Sequence, residues 1–153
     1  MSRGLGDVYK RQVLRLALLT ALAIAATTYA AVALAAEPLA LAFNRDNDPQ
    51  LTAVAVDGMR VYFLGYFFAG ANIVAAAFFS AVEQPVCGLA ISIVRGLPAM
   101  LAFAAVLAAL FGMAGVWATF PAAEAATFAL TAVLLVRFVR GSREREREQA
   151  VVA

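Results

Sequence analysis

Long apolar stretches separated by short polar segments dominate this chain. Three stretches, residues 16–36, 61–82 and 96–123, contain no Asp, Glu, Lys or Arg. About 20 apolar residues suffice for a helix to cross the hydrocarbon core of a bilayer. Gly112 and Gly115 are expected to break the third stretch, which divides it between two spans. The pattern predicts an all-α membrane protein with four transmembrane helices.

Punctuation residues give the expected bounds of these helices. The first span is predicted over about residues 13–36, followed by a polar segment over residues 37–48. Asp48 before Pro49 is typical of a helix start, because the Asp side chain caps the free amides and proline has none to cap. The second span should therefore begin at Pro49, outside the membrane, and end near residue 82.

The third span is expected from Pro85 to about residue 111, and the fourth from Pro121 to about residue 136. The transmembrane region thus covers residues 13–139, and residues 140–153 form a charged cytoplasmic tail, as a solvated helix extension or a disordered segment.

Residues 1–12, MSRGLGDVYKRQ, show no periodicity and resemble a translated sequencing adapter. We expect a non-native leader there. The alternative is a short native cytoplasmic leader.

The distribution of basic residues predicts orientation. Arg15, Arg95 and the five arginines within residues 137–147 lie on one side of the four-span arrangement, against Arg45 and Arg60 on the other. Basic residues accumulate on the cytoplasmic side, so both termini should be cytoplasmic in a multi-pass protein of a bacterial inner (plasma) membrane. Because these charges sit at helix ends, membrane lipid is the expected partner and nucleic acid is not.

The inventory of reactive side chains argues against an enzyme. The chain has no His and a single Cys, Cys87, so neither a metal cluster nor an intramolecular disulfide is expected. Nucleophile–base sets, phosphate-binding glycine loops and paired carboxylates within one span are also missing from the sequence. We therefore expect that the chain is not an enzyme, that it has no metal site and that it binds no cofactor.

The second helix has one small and polar face. Its members, at 3.6 residues per turn, are Tyr62, Gly65, Tyr66, Ala69, Asn72, Ala76 and Ser80. Small residues permit close helix packing, and a buried amide needs a hydrogen-bond partner. This face should look into a helix bundle or a cavity, and packing alone is an equally acceptable interpretation.

Two charged residues interrupt the apolar helices. Glu124, three residues after Pro121, either caps the start of the fourth helix or belongs to a proton or cation path. Arg95 is expected to extend its side chain to the cytoplasmic interface rather than bind an anion.

Three segments, in order, resemble the carboxy-terminal half of the multidrug and toxic compound extrusion (MATE) family. They are FNRDNDPQLTAVAVDGMRVYFLGYFFAGANIVAAAFFSAVEQP, ISIVRGLP and FGMAGVWATFPAAE. The resemblance covers most of residues 13–139. It implies that the four helices are part of a six-helix lobe of a two-lobe, twelve-helix transporter, and that the N-terminal part of the transporter is missing from this chain.

The resemblance also implies a function. Such transporters export amphipathic, often cationic, drug-like compounds in exchange for protons or sodium ions. Tyr62, Tyr66 and Asn72 would then line the substrate cavity, and Glu124 would be the candidate for a cation path. Family members with a cation site in this lobe carry a carboxylate in the second span, and this sequence has none near Ala69 and Gly70.

Two other interpretations remain open from the sequence. A complete four-helix exporter acting as a dimer would need a carboxylate in its first helix, and residues 13–36 contain none. A non-transporting membrane assembly subunit would use the polar face of the second helix only to pack against a partner.

Overall fold

The computed structural model describes the backbone of residues 2–152 and the side chains of residues 9–142 and of Glu144. Within this part of the chain, every regular element is an α-helix. The helices are α1 (Ser2–Phe43), α2 (Pro49–Phe63), α3 (Gly65–Ala81), α4 (Pro85–Arg95), α5 (Leu97–Phe111) and α6 (Met113–Val152).

Four helical segments are long and apolar enough to cross a membrane: Tyr9–Phe43, Pro49–Ala81, Pro85–Phe111 and Met113–Ser142. The first span lies in α1, the second comprises α2 and α3, the third comprises α4 and α5, and the fourth lies in α6. The prediction of an all-α protein with four transmembrane helices is confirmed.

The first helix is longer at both ends than the sequence suggested. The polar segment predicted over residues 37–48 was placed too early, because α1 continues through Pro38 to Phe43. The reason is packing: Ala36, Ala40 and Asn44 follow one another at four-residue spacing on one helix face, and all three are buried. Residues 2–12 are also helical, so the absence of periodicity there was a wrong guide to their conformation.

The start of the second span is confirmed. Asp48 is the N-cap of α2, and its side chain accepts a 2.8 Å hydrogen bond from the Gln50 amide, with Pro49 in the first turn. Asn44 joins the two helices, because its Nδ2 donates to the Asp48 carbonyl at 2.7 Å and to Thr52 Oγ1 at 2.9 Å. The turn between the first two spans is therefore held by side chains from both.

Interruptions divide the second and third spans. The second span is interrupted at Leu64, between α2 and α3. The third is interrupted at Gly96, whose φ of −74° and ψ of −136° lie outside the helical region. Pro98 then occupies the first turn of α5, where its missing amide costs no hydrogen bond. Neither interruption was predicted.

The fourth helix begins earlier than predicted. Gly112, with a φ of +58°, ends α5 as expected, because only glycine adopts that backbone conformation without strain. However, α6 begins directly afterwards at Met113, and both Gly115 and Pro121 lie inside it. A Cβ at Gly115 would overlap the carbonyl oxygen of Leu107, so this glycine permits close approach of α5 and α6 rather than a break.

A small apolar core lies in the half of the bundle away from the turn between the first two spans. Ala75, Phe79 and Ile91 are fully buried, and Leu134 and Phe138 of α6 pack against them. The core therefore joins α3, α4 and α6. Beyond it, α6 extends to Val152, so the backbone of the charged tail is a helix extension. The side chains of Arg143 and of residues 145–153 lie outside the described part of the chain.

The contact at Gly115 generates a stability prediction. Gly115→Ala should destabilise the protein by about 1–3 kcal/mol, because the new methyl group meets backbone that cannot move aside without separating two helices. Gly141→Ala, in the same helix with nothing within 4 Å of the added atom, should leave stability unchanged or slightly raised. Thermal unfolding of the detergent-solubilised protein measures both. Equal midpoints for the two variants would contradict the assigned contact.

Candidate functional site

A buried carboxylate, Glu124, lies at the meeting point of three spans. It sits about three turns into α6, and its side chain is only 3% exposed. The interpretation as a helix cap was therefore wrong, because it assumed a helix start at Pro121. An ionised carboxylate at this depth is costly unless partners compensate its charge, so its neighbours decide what it can do.

Each oxygen of the Glu124 carboxylate has its own partner. Nε and Nη2 of Arg95 both lie 3.0 Å from Oε1, which forms an ion pair between α4 and α6. The Asn72 amide nitrogen, from α3, donates to Oε2 at 2.8 Å and to the Glu124 main-chain oxygen at 3.0 Å. The carboxylate thus receives one cationic and one neutral donor.

Asn72 is itself held in a fixed orientation. Thr131 Oγ1 donates to Asn72 Oδ1 at 2.8 Å, and both side chains are fully buried. Because the ionised carboxylate can only accept, the amide nitrogen faces Glu124, and the amide oxygen then accepts from Thr131. We call Asn72, Arg95, Glu124 and Thr131 the buried polar cluster. This cluster supplies the hydrogen-bond partners that the sequence analysis expected for a buried Asn72 amide.

The position of Arg95 differs from the prediction. Its side chain is 28% exposed and turns toward Glu124 instead of extending to the membrane interface. The electrostatic attraction of a buried carboxylate outweighs the solvation that a nearby interface offers, because an unpaired buried charge costs several kcal/mol. Arg95 therefore belongs to the interior and carries no information on orientation.

An aromatic cluster lies beside the polar one. Tyr62 stacks on Phe120 with ring centroids 4.6 Å apart, and Tyr66 stacks on Phe63 at 5.0 Å. Tyr66 also meets the Phe120 ring edge-on at 5.7 Å. A Cβ at Gly65 would overlap the Phe120 ring, so the absence of a side chain there lets α6 approach.

The structure thus places the predicted site residues in two adjoining layers. Tyr62 and Tyr66 surround Phe120, which lies one helical turn before Glu124, whereas Asn72 lies in the buried polar cluster. The small face predicted for the second span points inward at Gly65, Ala69 and Asn72, which are buried, whereas Tyr66 and Ser80 of the same face are exposed. Sequence analysis missed Thr131 and the pairing of Arg95 with Glu124.

A separate cavity of about 540 Å³ opens where the first two spans approach their connecting turn. It is lined by Glu37, Leu41, Asn47, Pro49, Thr52, Ala53, Val56, Asp57 and Arg60. None of the predicted site residues contributes to it. Among the residues whose side chains are described, no group of His, Cys, Asp and Glu is arranged to hold a metal ion.

Comparison with known proteins identifies the family. Residues 9–106, well over half of the chain, match the MatE family. Two of the three resembling segments lie within this match, and the third follows it. No curated protein and no solved structure matches the chain. Members of this family are multi-pass membrane transporters rather than enzymes in the usual sense. The chain belongs to the MatE (multidrug and toxic compound extrusion) family of membrane transporters.

Proposed function

We propose that this chain is the carboxy-terminal part of a secondary active multidrug exporter, which exchanges amphipathic cationic compounds for protons or sodium ions. The observation that carries the proposal is the nearly inaccessible carboxylate of Glu124 among three transmembrane spans. Buried carboxylates are expensive in a bilayer, and in transporters they mark the paths of protons and cations. The coupling ion would bind here, without any other cofactor.

The geometry supports Glu124 as the coupling group. A coupling site must exchange partners during the cycle. Within the part of the chain that the structure describes, Glu124 Oε1 is held by Arg95 alone, and the Arg95 side chain is partly exposed. The opposite oxygen is fixed by Asn72, so the carboxylate stays in place while one side changes. The site would thus accept a cation without losing its orientation.

The aromatic layer supports a cationic and amphipathic substrate. Tyr62 and Tyr66 offer ring faces that attract organic cations and hydroxyl groups that bind polar substituents. Tyr66 is 38% exposed, so part of it is free to face the remainder of the transporter. We propose that both tyrosines line the substrate cavity, and that Asn72 belongs to this site as the link between the aromatic layer and Glu124.

The remaining parts of the proposal concern partners and location. The missing N-terminal part of the transporter would close the cavity, and membrane lipid would cover the exposed leucines of α1, for example Leu34 at 86% exposure. The host membrane would be the bacterial inner membrane. The arginines of α6 after residue 136 would then place the carboxy terminus in the cytoplasm.

Replacement of the carboxylate tests the coupling site. In the complete transporter that carries this chain, Glu124→Gln should reduce ion-driven efflux of a cationic dye to background, because the amide cannot bind a cation electrostatically. Because loss of one partner of a buried ion pair is destabilising, efflux is expressed per transporter molecule in the membrane. Glu83→Gln, which removes an exposed carboxylate in the turn before α4, should retain efflux. Undiminished driven efflux with Glu124→Gln would refute the assignment.

Replacement of the aromatic residues tests the cavity. Tyr66→Ala should reduce dye efflux per transporter molecule severalfold, through loss of one cation–π contact worth about 0.5–2 kcal/mol. Tyr66→Phe should retain most activity if the ring is the binding element. Phe67→Ala, whose ring packs on Tyr29 of α1, should matter less for transport. If Tyr66→Ala lowers abundance but not efflux per molecule, Tyr66 serves packing only.

Reporter fusions test orientation. A reporter fused after residue 153 should report the cytoplasm, and one inserted at Asp46, in the turn between the first two spans, should report the external side. Activity that depends on translocation, such as that of a periplasmic phosphatase, distinguishes the two sides. An external carboxy terminus would contradict the orientation drawn from the basic residues.

A further inference from the structure

We propose that Arg95 is an internal competitor of the coupling cation. Its guanidinium occupies Glu124 Oε1 when no cation is bound, and it leaves this oxygen when a proton or a sodium ion binds. The inference rests on the proposed function, in which Glu124 is the coupling group, and it adds how that group is kept compensated while empty.

The first observation is the way the carboxylate is shared. Both contacting nitrogens of Arg95 address the same oxygen, Oε1, at 3.0 Å. The strongest arginine–carboxylate pairs use both oxygens in two parallel bonds. Here Asn72 is the donor to Oε2, and both Arg95 contacts are to Oε1. Arg95 therefore makes the weaker, single-oxygen form of the pair, which a competing cation can replace at one atom.

The second observation is the difference in burial between the two partners. Asn72 is fully enclosed and is bonded to Thr131, so its departure would break several buried hydrogen bonds. The Arg95 side chain is 28% exposed, against 3% for Glu124. Of the two partners, Arg95 is therefore the one with an open side toward which its side chain can move. The carboxylate thus has one permanent and one exchangeable partner.

The third observation is the backbone around Arg95. It is the last residue of α4, and Gly96 follows with a non-helical ψ of −136° before α5 begins at Leu97. Arg95 thus stands at a helix end, next to an interruption of the span, rather than within a continuous helix. Interrupted transmembrane helices commonly form ion and substrate sites in transporters.

The exchange balances the charge. In the empty state the carboxylate and the guanidinium neutralise each other. In the loaded state the proton or the sodium ion takes the place of the guanidinium at Oε1, and the Arg95 side chain moves away from the carboxylate toward its exposed side. The buried carboxylate is compensated in both states, which avoids the cost of several kcal/mol for an unpaired charge.

The test is the cation dependence of the complete transporter reconstituted in lipid vesicles. Dye transport is measured against external sodium at constant pH, and separately against pH without sodium. In whichever of the two series shows cation-driven transport, Arg95→Gln should lower the half-saturating cation concentration about tenfold or more. The reason is that the charged hydrogen bonds from Arg95 to Glu124 no longer compete with the cation. Arg95→Lys should lower the half-saturating concentration by less.

A matched control and a double variant make the result specific. Arg137→Gln removes one exposed arginine at the cytoplasmic end of the fourth span, and it should leave the half-saturating concentration unchanged. In the Glu124→Gln background, where ion-driven efflux is expected at background, Arg95→Gln should not restore cation-dependent transport, because both residues act through one carboxylate.

Two outcomes would overturn the inference, and they differ from failure of the proposed function. If Arg95→Gln and Arg95→Lys reduce the maximal rate or the abundance but leave half-saturation unchanged, Arg95 is structural. A raised half-saturating concentration would show that Arg95 assists cation binding. If Glu124→Gln itself retains driven transport, the coupling-site assignment fails, whatever Arg95 does.

Discussion

The constraint on which this structure depends is the compensation of one buried carboxylate among the apolar spans. Glu124 is almost inaccessible, and its charge is met by Arg95 from the third span and by the amide of Asn72 from the second. Each partner fixes the relative position of two helices, because hydrogen bonds of 2.8 to 3.0 Å leave little freedom in their approach. Buried ion pairs contribute little net stability compared with apolar packing, whereas loss of one partner is strongly destabilising. The cluster therefore specifies how the spans are arranged more than it strengthens them.

The other features of the fold make this arrangement sterically possible. Gly65 lets the Phe120 ring pack against α3, and Gly115 lets α5 and α6 approach at backbone distance. In a bilayer, helix association depends on such close contacts, because lipid chains are as apolar as leucine and provide no hydrophobic driving force. The end of α4 at Gly96 places Arg95 on a helix terminus, where its side chain is less restricted by neighbouring turns. The close packing of the helices thus brings together the side chains of the buried polar cluster.

Much of the architecture was predictable because the bilayer imposes simple rules on length and polarity. The four spans and the Asp48 cap follow from local sequence, as does the helix end at Gly112. The start of the fourth helix did not follow from local sequence. A glycine such as Gly115 is typical of a helix break, and only its contact with Leu107 shows that it serves close packing instead. That error displaced Glu124 to a helix terminus and suggested a capping role. The pairing with Arg95 joins residues 29 positions apart, so only the tertiary arrangement reveals it. Two isolated opposite charges in apolar spans were nevertheless a signal that each needed a partner.

The location of the carboxylate has a consequence for how the second span participates in transport. The resemblance implies that a cation site in this lobe would include an acidic residue near Ala69 and Gly70, and the sequence has none there. Asn72, less than one turn further along the same helix, instead donates directly to a carboxylate supplied by the fourth span. The second span therefore still contributes to the charged site, but through a neutral group that cannot change its charge during a cycle. In the proposed cycle, any change of protonation must then fall on Glu124 of the fourth span, because the guanidinium of Arg95, on the third span, stays protonated. Under this proposal, relative motion of the third and fourth spans is the movement most directly linked to occupation of the site.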